Sequence, residues 1–264
     1  APAGRYWTNL DGKLINSGIE FALNYQPINN GNSVLEFGVN LSFLDNILED
    51  YNGPAVLTGN LHGQGISNTT IQRLASGQPV NAFYLREWNG LDESGFDILT
   101  DEGNSFFYIG DPNPDMLLGF NASFSTGKWN FATNFYGAFG HQIYNNTANT
   151  VLPIGNLGSR NIAKALVDAP VRESTANSIK ASTRYLEDGD YFKMANFAIS
   201  YAVGNIGFVN DLRFSLTGQN LFVITDYSGF DPEVNTDKSR DGVPSFGIEY
   251  TAYPTPRTFL LGAD

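Results

Sequence analysis

Cysteine is absent from this chain, and methionine and histidine are scarce, with two of each among 264 residues. Without cysteine, neither disulfides nor a cysteine metal site can hold the fold together. Acidic residues outnumber basic ones 27 to 15, and the net charge of -12 argues against nucleic acid and anionic membrane surfaces as partners. No run approaches about 18 uninterrupted apolar residues, so the sequence predicts no transmembrane helix. Residues 1–7 lack the basic start and the apolar core of a signal peptide.

The sequence is rich instead in residues that favour strands and turns, with 20 Phe, 13 Tyr and 28 Gly. From Met116 to Phe124, apolar side chains alternate with small or polar ones, and after a turn at 126–128 the alternation resumes from Trp129 to Phe139. Because successive side chains of a strand point to opposite faces, this pattern predicts a hairpin with one apolar and one polar face. Each arm is about as long as a tilted strand needs to cross a bilayer, roughly 9–11 residues. We therefore predict an antiparallel transmembrane β-barrel of the all-β class.

The same alternation recurs along the chain. It is found at 19–25, 35–43, 197–203, 212–217 and 246–251, and another strand begins at 258–262. The connections fall into two length classes, with short turns at 27–33, 126–128 and 204–211 and long polar segments at 45–115, 140–190 and 220–244. Because bacterial outer-membrane barrels combine short periplasmic turns with long extracellular loops, we expect the long segments to face outside the cell.

Two elements are predicted inside the long segments. Residues 80–88 are expected to form an extended strand that ends at Asn89-Gly90, where a turn is favoured. Residues 160–168 are expected to form a short helix, capped by Ser159 and stopped by Pro170.

No domain boundary is visible, so residues 1–264 are interpreted as a single, partial barrel domain. About eight long strands are predicted, and the last one breaks off at Asp264, before it is long enough to cross a membrane. An open sheet edge in hydrocarbon leaves backbone groups unsatisfied, at a cost of several kcal/mol each. We therefore expect this chain to be the C-terminal part of a larger barrel.

Enzymatic chemistry is not predicted. The two histidines, His62 and His141, have no Ser or Asp partner at a recognisable spacing. A glycoside hydrolase needs two carboxylates that face each other across a cleft. Glu187 and Asp188 are adjacent and point to opposite faces of a strand, and no other pair suggests itself. No cofactor is expected either.

Five side chains at the bases of the long segments are the predicted substrate contacts. They are Tyr84, Trp88, Tyr144, Arg184 and Tyr227. Aromatic rings stack on sugar rings or on peptide side chains, but barrels also carry girdles of aromatic residues at both membrane interfaces, so a girdle or loop packing is the alternative for each ring. Arg86, Arg184 and Arg213 are candidates for lining the lumen and binding anionic groups, but pairing with the many carboxylates is the favoured interpretation.

Acidic residues are concentrated in the first long segment. Among them, Asp97, Asp101 and Glu102 form a candidate calcium site, because hard cations take several oxygen ligands from one loop. The order of these residues does not match an EF-hand, and a solvated acidic face is the alternative. No other metal site is predicted.

Six stretches carry motifs that occur together, in this order, in one protein family. They are NSGIEFALN at 16–24, GQPVNAFY at 77–84, IGDPNPDMLLGFN at 109–121, YLEDGDYFKMAN at 185–196, LTGQNLFVITDYSGFDPE at 216–233 and AYPTPRTF at 252–259. In order and spacing, these stretches resemble the C-terminal half of the SusC/RagA-type TonB-dependent outer-membrane transporters of Bacteroidetes. The stretch at 216–233 is the most specific, because it resembles the pattern G-x-N-L-x-x-x-T-x-Y-x-G-x-D-P-E.

The resemblance implies a barrel of about 22 strands with a plug domain in its lumen and a SusD-like surface lipoprotein as its lid. Transporters of this family import glycans or peptides with energy that TonB passes from the inner membrane. The sequence contains neither a plug nor a segment that contacts TonB, so we expect this chain to supply the barrel wall and the extracellular loops of an integral outer-membrane nutrient importer. The alternative is a soluble, extracellular carbohydrate-binding β-sandwich, whose apolar faces would pack on each other instead of facing lipid.

Overall fold

The computed structural model describes residues 11–63 and 65–264, so residues 1–7, in which no signal peptide is predicted, lie outside the described residues. The strands are, in chain order, β1 (Lys13–Asn29), β2 (Ser33–Glu49), β3 (Val56–Asn60), β4 (Thr70–Leu74), β5 (Ala82–Leu85), β6 (Trp88–Leu91), β7 (Asp97–Leu99), β8 (Phe107–Tyr108), β9 (Met116–Thr126), β10 (Trp129–Phe139), β11 (Gln142–Asn145), β12 (Leu186–Asp188), β13 (Tyr191–Ile206), β14 (Val209–Thr225), β15 (Ile248–Glu249) and β16 (Thr258–Ala263). The helices are α1 (Asn146–Val151) and α2 (Lys164–Val167), with short 3-10 turns at Thr100–Gly103, Ile154–Asn156 and Thr183–Tyr185. Across these two described ranges, no helix is both long and apolar enough to span a membrane.

Seven strands hydrogen-bond side by side in one antiparallel sheet, which we call the wall. Its order is β1-β2-β9-β10-β13-β14-β16, so the strands follow one another around the sheet in chain order. The three predicted hairpins are confirmed. Strands β9 and β10 follow the alternation closely, whereas those of the other two hairpins are longer than it indicates, with 17 residues each in β1 and β2. The predicted connector at 204–211 is mostly strand, because β13 and β14 leave only Gly207 and Phe208 between them. Gly207 has a φ of 62°, the left-handed conformation that such a tight hairpin turn requires.

One face of the wall carries a continuous apolar band. Phe21 of β1 pairs with Leu41 of β2, and Leu41 pairs in turn with Leu118 of β9. Directly paired residues project from the same face, so the apolar rows of neighbouring strands merge. The band is open to its surroundings, since Phe21 is 59% exposed and Leu23 is 64% exposed. An exposed apolar face of this length is typical of strands that meet lipid, and it differs from the covered core of a soluble sandwich.

The opposite face of the wall is small and polar. Asn134 of β10 pairs with Asn121 of β9 on one side and with Asn196 of β13 on the other, and Asn196 pairs with Gln219 of β14. The amide nitrogen of Asn134 donates a 2.9 Å hydrogen bond to the side-chain oxygen of Asn196. This row of amides across four strands is suited to the aqueous lumen of a barrel.

The three long segments fold together into what we call the loop layer, which comprises residues 50–63, 65–115, 140–190 and 226–257. It contains a sheet in the order β3-β4-β5-β8, a sheet in the order β12-β11-β15, and the hairpin β6-β7. These elements surround a buried core of Leu61, Ile66, Ile71, Phe83, Leu85, Tyr144, Ala148, Ala181, Tyr185 and Ile248. The long segments are therefore more than polar connections, because apolar residues that are far apart in the sequence meet in one core.

The wall strand predicted at 246–251 is wrong. Only Ile248–Glu249 is in a strand, and it pairs in parallel with β11 inside the loop layer. Gly247 and Thr251 have φ values of 68° and 52°, which end the strand on both sides. The side chain of Ile248 is fully buried in the loop core. This position is therefore apolar because protein covers it, and not because it contacts lipid. The described wall consequently has seven strands instead of about eight.

Two predictions for the long segments also need correction. The strand at 80–88 is divided into β5 and β6, and Asn89-Gly90 lies inside β6 instead of ending a strand. The helix predicted after Ser159 is only the single turn α2. The Ser159 hydroxyl donates a 2.9 Å hydrogen bond to the Asn156 carbonyl oxygen, so it belongs to the preceding turn and does not cap the helix.

Candidate functional site

A charged cluster, which we call the latch, ties the loop layer to the polar face of the wall. Lys193 of β13 donates hydrogen bonds from Nζ to Asp231 Oδ1 at 2.6 Å and to Glu233 Oε2 at 2.5 Å. Glu233 also accepts hydrogen bonds from the hydroxyls of Tyr136 at 2.6 Å and Tyr191 at 3.2 Å. Tyr136 and Lys193 are directly paired across β10 and β13, so both point to the lumen side. The latch thereby fixes the D-P-E sequence of the most specific motif against the wall.

A second cluster brings together two of the predicted substrate contacts, Trp88 and Arg184, with the calcium candidate Asp97. The guanidinium of Arg184 donates 3.0 Å hydrogen bonds to both carboxylate oxygens of Glu173 and a 3.2 Å hydrogen bond to Asp97 Oδ1. The indole N–H of Trp88 donates to the same Asp97 oxygen at 3.0 Å. The side chains of Asp97 and Glu173 are only 4% exposed. The positive charge of Arg184 is therefore neutralised inside the loop layer.

The ionisation of Glu173 follows from this pairing. Burial opposes the charged form, but hydrogen bonds from Arg184 and Asn177 and the charge of Arg184 outweigh burial and lower the pKa of Glu173. Burial likewise opposes the charge of Arg184, and its hydrogen bonds to Glu173 and the nearby negative charges raise the pKa of Arg184. The guanidinium lies 5.4 Å from the ring centroid of Trp88. Arg184 thus acts as a support that holds Trp88 in place.

The remaining calcium candidates, Asp101 and Glu102, are exposed in a 3-10 turn. Asp101 accepts a hydrogen bond from the Ser105 hydroxyl, while Asp97 is bonded to Arg184 as described above. In the part of the chain that the structure describes, no three His, Cys, Asp or Glu side chains are placed to hold a metal ion. The calcium site stays a prediction, and the described side chains of Asp97, Asp101 and Glu102 do not come together as ligands of one ion.

Tyr144 and Tyr227, which are also predicted substrate contacts, are packed inside the loop layer. Tyr144 is fully buried, and its hydroxyl accepts a 2.7 Å hydrogen bond from the Asn149 amide. Tyr227 is 5% exposed, and burial, followed by the charges of Glu249 and Glu187, raises the pKa of its phenol. Contact of either ring with a substrate stays a prediction, and it requires the loop layer to open.

Tyr84 lies in a separate, partly exposed cluster, which we call the arginine–aromatic stack. Its ring centroid is 5.6 Å from that of Phe106 and 4.8 Å from that of Tyr108. The guanidinium of Arg73 lies 4.7 Å from the Tyr84 ring centroid, and that of Arg86 lies 4.4 Å from the Phe106 ring centroid. Tyr84 and Arg86 can be singled out from the sequence, whereas Arg73, Phe106 and Tyr108 cannot. Nothing in their spacing indicates that β4, β5 and β8 converge.

No family model matches the sequence. The chain is similar, however, to curated TonB-dependent receptors. It is 27% identical over 290 residues to TonB-dependent receptor P3 of Formosa agariphila, and the match covers 95% of this chain and 28% of the relative. It is 24% identical over 276 residues to TonB-dependent receptor SusC of Bacteroides thetaiotaomicron, with 95% of this chain and 26% of the relative covered. The chain thus spans about a quarter of the length of these relatives.

Solved structures share the fold of the chain. A structure of the RagAB peptide transporter superposes with a TM-score of 0.79 and 19% identity over 96% of this chain and 29% of that chain. A structure of the RagAB peptide importer in the 'closed-closed' state superposes with a TM-score of 0.73 and 18% identity over 96% of this chain and 29% of that chain. At these identities the likeness shows the fold alone.

The structure of the wall and the similarity to known receptors test the predicted fold class and the predicted family resemblance. The antiparallel hairpins, the two-faced wall and the fold of the RagAB chains confirm the prediction of transmembrane barrel strands. The relatives reported above are named as receptors and transporters, and none of them is named as an enzyme. The predicted resemblance is also confirmed: over 95% of its length, this chain is related to the TonB-dependent receptors that include SusC, which are integral proteins of the bacterial outer membrane.

Proposed function

We propose that this chain is part of a TonB-dependent importer that takes up glycans or oligopeptides across the outer membrane, and that residues 1–264 form one partial barrel domain of it. The two-faced wall is the observation that carries the proposal, with an apolar band on one side and a row of small polar side chains on the other. A polar inner face lets a hydrated solute pass without the cost of stripping water from its polar groups. The wall supplies the passage, and the loop layer supplies its extracellular entrance.

Energy and closure come from partners in this proposal. The curated relatives are TonB-dependent receptors, and we infer that a plug domain transmits energy from TonB to this barrel as well. A SusD-like surface lipoprotein acts as the lid over the loop layer, as the resemblance to the SusC/RagA type implies. The loop layer is suited to carry a lid, because it has its own buried core and is tied to the wall by the latch.

Glycans are the substrate class that we favour over oligopeptides. The RagAB structure is described as a peptide transporter, whereas the names of the two curated relatives state no substrate. Tyr84 and Trp88 are partly exposed aromatic rings, each held in position by an arginine. Rigid rings stack on the apolar faces of sugars at little cost in conformational entropy. Arg184 supports Trp88 from within the loop layer, and Tyr144 and Tyr227 contact the substrate in this proposal only when the loop layer opens.

Uptake by living cells tests the proposed function. The gene for the full-length receptor is deleted in its host, and the uptake of fluorescent oligosaccharides and oligopeptides is measured with and without a plasmid copy. We expect at least one substrate class to be lost on deletion and restored by the wild-type receptor, but only while TonB is active. Unchanged uptake after deletion, or recovery of the receptor in the soluble fraction, would contradict the proposal.

A pair of variants tests the roles of the two exposed rings. The double variant Tyr84→Ala/Trp88→Ala is expected to reduce oligosaccharide uptake while the amount of receptor at the surface is unchanged. Phe208→Ala is the matched control, because Phe208 is an aromatic residue that is 97% exposed in the turn between β13 and β14, away from the loop layer. Equal uptake by the double variant and the control would show that the two rings do not contribute to oligosaccharide uptake.

A further inference from the structure

The arginine–aromatic stack carries positive charge that the described part of the chain leaves unpaired. The chain has 27 acidic and 15 basic residues, so carboxylates are plentiful. Ion pairs among the described residues involve the cations Lys13, Lys164, Arg184, Lys193 and Arg240. Arg73 and Arg86 are in none of these pairs. The charge of these two arginines is therefore available to an anionic ligand.

Arg86 is held in a fixed orientation that leaves its donors available. Its Nε–H donates a 2.7 Å hydrogen bond to the carbonyl oxygen of Gly103, and its guanidinium lies over the ring of Phe106. Neither terminal nitrogen has a hydrogen-bond partner in residues 11–63 and 65–264. Arginine binds a carboxylate with two parallel N–H donors, and a fixed guanidinium loses little entropy when it does so.

A cavity of about 350 Å³ opens beside Arg86. Lys180 and Glu102 line it together with Arg86, and Ile179 supplies apolar surface. Lys180, like Arg86, takes part in no ion pair with a described carboxylate, so two unpaired cations and one carboxylate border this space. Sites for small molecules have volumes of roughly 300–1,000 Å³. This cavity lies at the lower end of that range, which suits a single sugar unit of a longer chain.

We propose that the stack and this cavity bind an oligosaccharide that carries carboxylate or sulfate groups, which makes acidic glycans the substrate of the importer. The inference rests on the proposed function. An anionic group on one sugar lies in the cavity against Arg86 and Lys180, and a second anionic group further along the glycan reaches Arg73. Tyr108, which is directly paired with Tyr84 and is 36% exposed, provides flat apolar surface for a sugar face.

The rigidity of the stack favours a glycan over an acidic peptide. The rings of Tyr84 and Phe106 are nearly parallel, with 19° between their planes, and an arginine covers each of them. Anionic groups on a sugar ring are held at fixed positions, whereas carboxylates on peptide side chains lose rotamer freedom when they are ordered. A rigid row of cations and rings therefore gains most from a ligand that is equally rigid.

Binding to the purified full-length receptor tests the inference. The probes are an oligogalacturonate, a sulfated galactan oligosaccharide, neutral maltohexaose and a hexaglutamate peptide. We expect one of the two acidic oligosaccharides to bind, with an affinity that falls as salt concentration rises. Arg86→Gln and Arg73→Gln are each expected to lower that affinity roughly 10- to 100-fold, because charge-assisted hydrogen bonds are lost. Arg240→Gln is the matched control, an exposed arginine elsewhere in the loop layer that is expected to leave the affinity unchanged.

Several results would overturn the inference. The first is that the wild-type receptor binds neither acidic oligosaccharide. The second is that the wild type and both arginine variants bind with equal affinity. The third is that hexaglutamate binds more tightly than the acidic oligosaccharides, which would assign the surface to acidic peptides. Arg86→Lys keeps the charge and is expected to retain intermediate affinity, and hydrogen exchange in β5 and β8 shows whether each variant keeps its fold. Loss of binding alone, with uptake of other solutes intact, overturns only this inference. Unchanged uptake after gene deletion overturns the proposed function itself.

Discussion

An arginine placed in the middle of the wall distinguishes its two faces. Phe120 and Asn121 are adjacent in β9, but Phe120 pairs with Val39 and Phe135 on the apolar face, whereas Asn121 pairs with Asn134 on the polar face. An arginine on the lipid face of a barrel at the bilayer midplane costs about 2–4 kcal/mol. Since 1.4 kcal/mol corresponds to a factor of ten, Phe120→Arg is expected to shift the folding equilibrium by about 30- to 700-fold. Asn121→Arg is expected to have little effect, because its side chain stays in water.

Assembly of the full-length receptor is the measurement for this prediction. Heat-modifiable migration of outer-membrane fractions on SDS gels gives the folded fraction in cells, and urea titration in lipid vesicles gives the free energy of folding. Phe120→Leu controls for the loss of the aromatic ring alone. Asn130→Arg, at an exposed polar-face position of β10, controls for a local clash at Asn121. Equal losses in Phe120→Arg and in both polar-face arginine variants would refute the assignment of the two faces.

Three further predictions concern the loop layer. Arg184→Met leaves Glu173 buried without its partner, which costs about 3–5 kcal/mol, so hydrogen-exchange protection around Glu173 is expected to fall at least about 100-fold. The pKa of Glu173 is lowered on folding. The stability that the Arg184–Glu173 pair contributes is therefore fully present above pH 4.5, the ordinary pKa of a glutamate, and is lost as the pH falls through the lowered pKa. Urea titrations of the loop layer at decreasing pH measure this loss. Gly247→Ala adds a Cβ that clashes with Pro112 at a φ of 68°, and it is expected to cost about 1–3 kcal/mol of loop stability in the same titration. Gly31→Ala, at a φ of 80° with open space around it, is expected to cost less.

Exposed ion pairs provide the control for the Arg184 variant. Lys13 and Asp50 form a pair whose side chains are 71% and 69% exposed. Such pairs contribute little to stability because water screens them, so Lys13→Met is expected to leave protection unchanged. A loss of protection in Arg184→Met no larger than that in Lys13→Met would contradict the role of the buried pair. A stability that does not decline in acid, or equal costs for the two glycine variants, would contradict the other two predictions.

The hairpins of the wall are predictable because a lipid-facing strand needs an apolar residue at every second position over about ten residues. Met116–Thr126 and Trp129–Phe139 meet this requirement and form β9 and β10. The same alternation at 246–251 misleads, because Ile248 is covered by the loop core and not by lipid. Alternation shows that a segment is extended with one apolar face, but it does not show what covers that face.

The candidate site is less predictable than the wall, because its contacts join distant parts of the chain. Trp88 and Arg184 can be singled out by residue type, yet Glu173, which accepts two hydrogen bonds from Arg184, lies in a segment without regular structure. Arg73 and Phe106 belong to the stack only because β4, β5 and β8 form one sheet. Patterns in a single sequence indicate local geometry. These clusters, in contrast, depend on how three long segments pack against each other.

The latch limits how the loop layer can open. Lys193 belongs to a wall strand, and both of its acceptors, Asp231 and Glu233, belong to the loop layer. An opening that separated these groups would leave charges unpaired in a poorly hydrated place, which costs several kcal/mol. Exposing the buried rings of Tyr144 and Tyr227 therefore costs less free energy if the latch stays closed. In such a motion, parts of the loop layer that lie outside the latch are displaced. We therefore expect the segment next to the latch to move less than the rest of the loop layer.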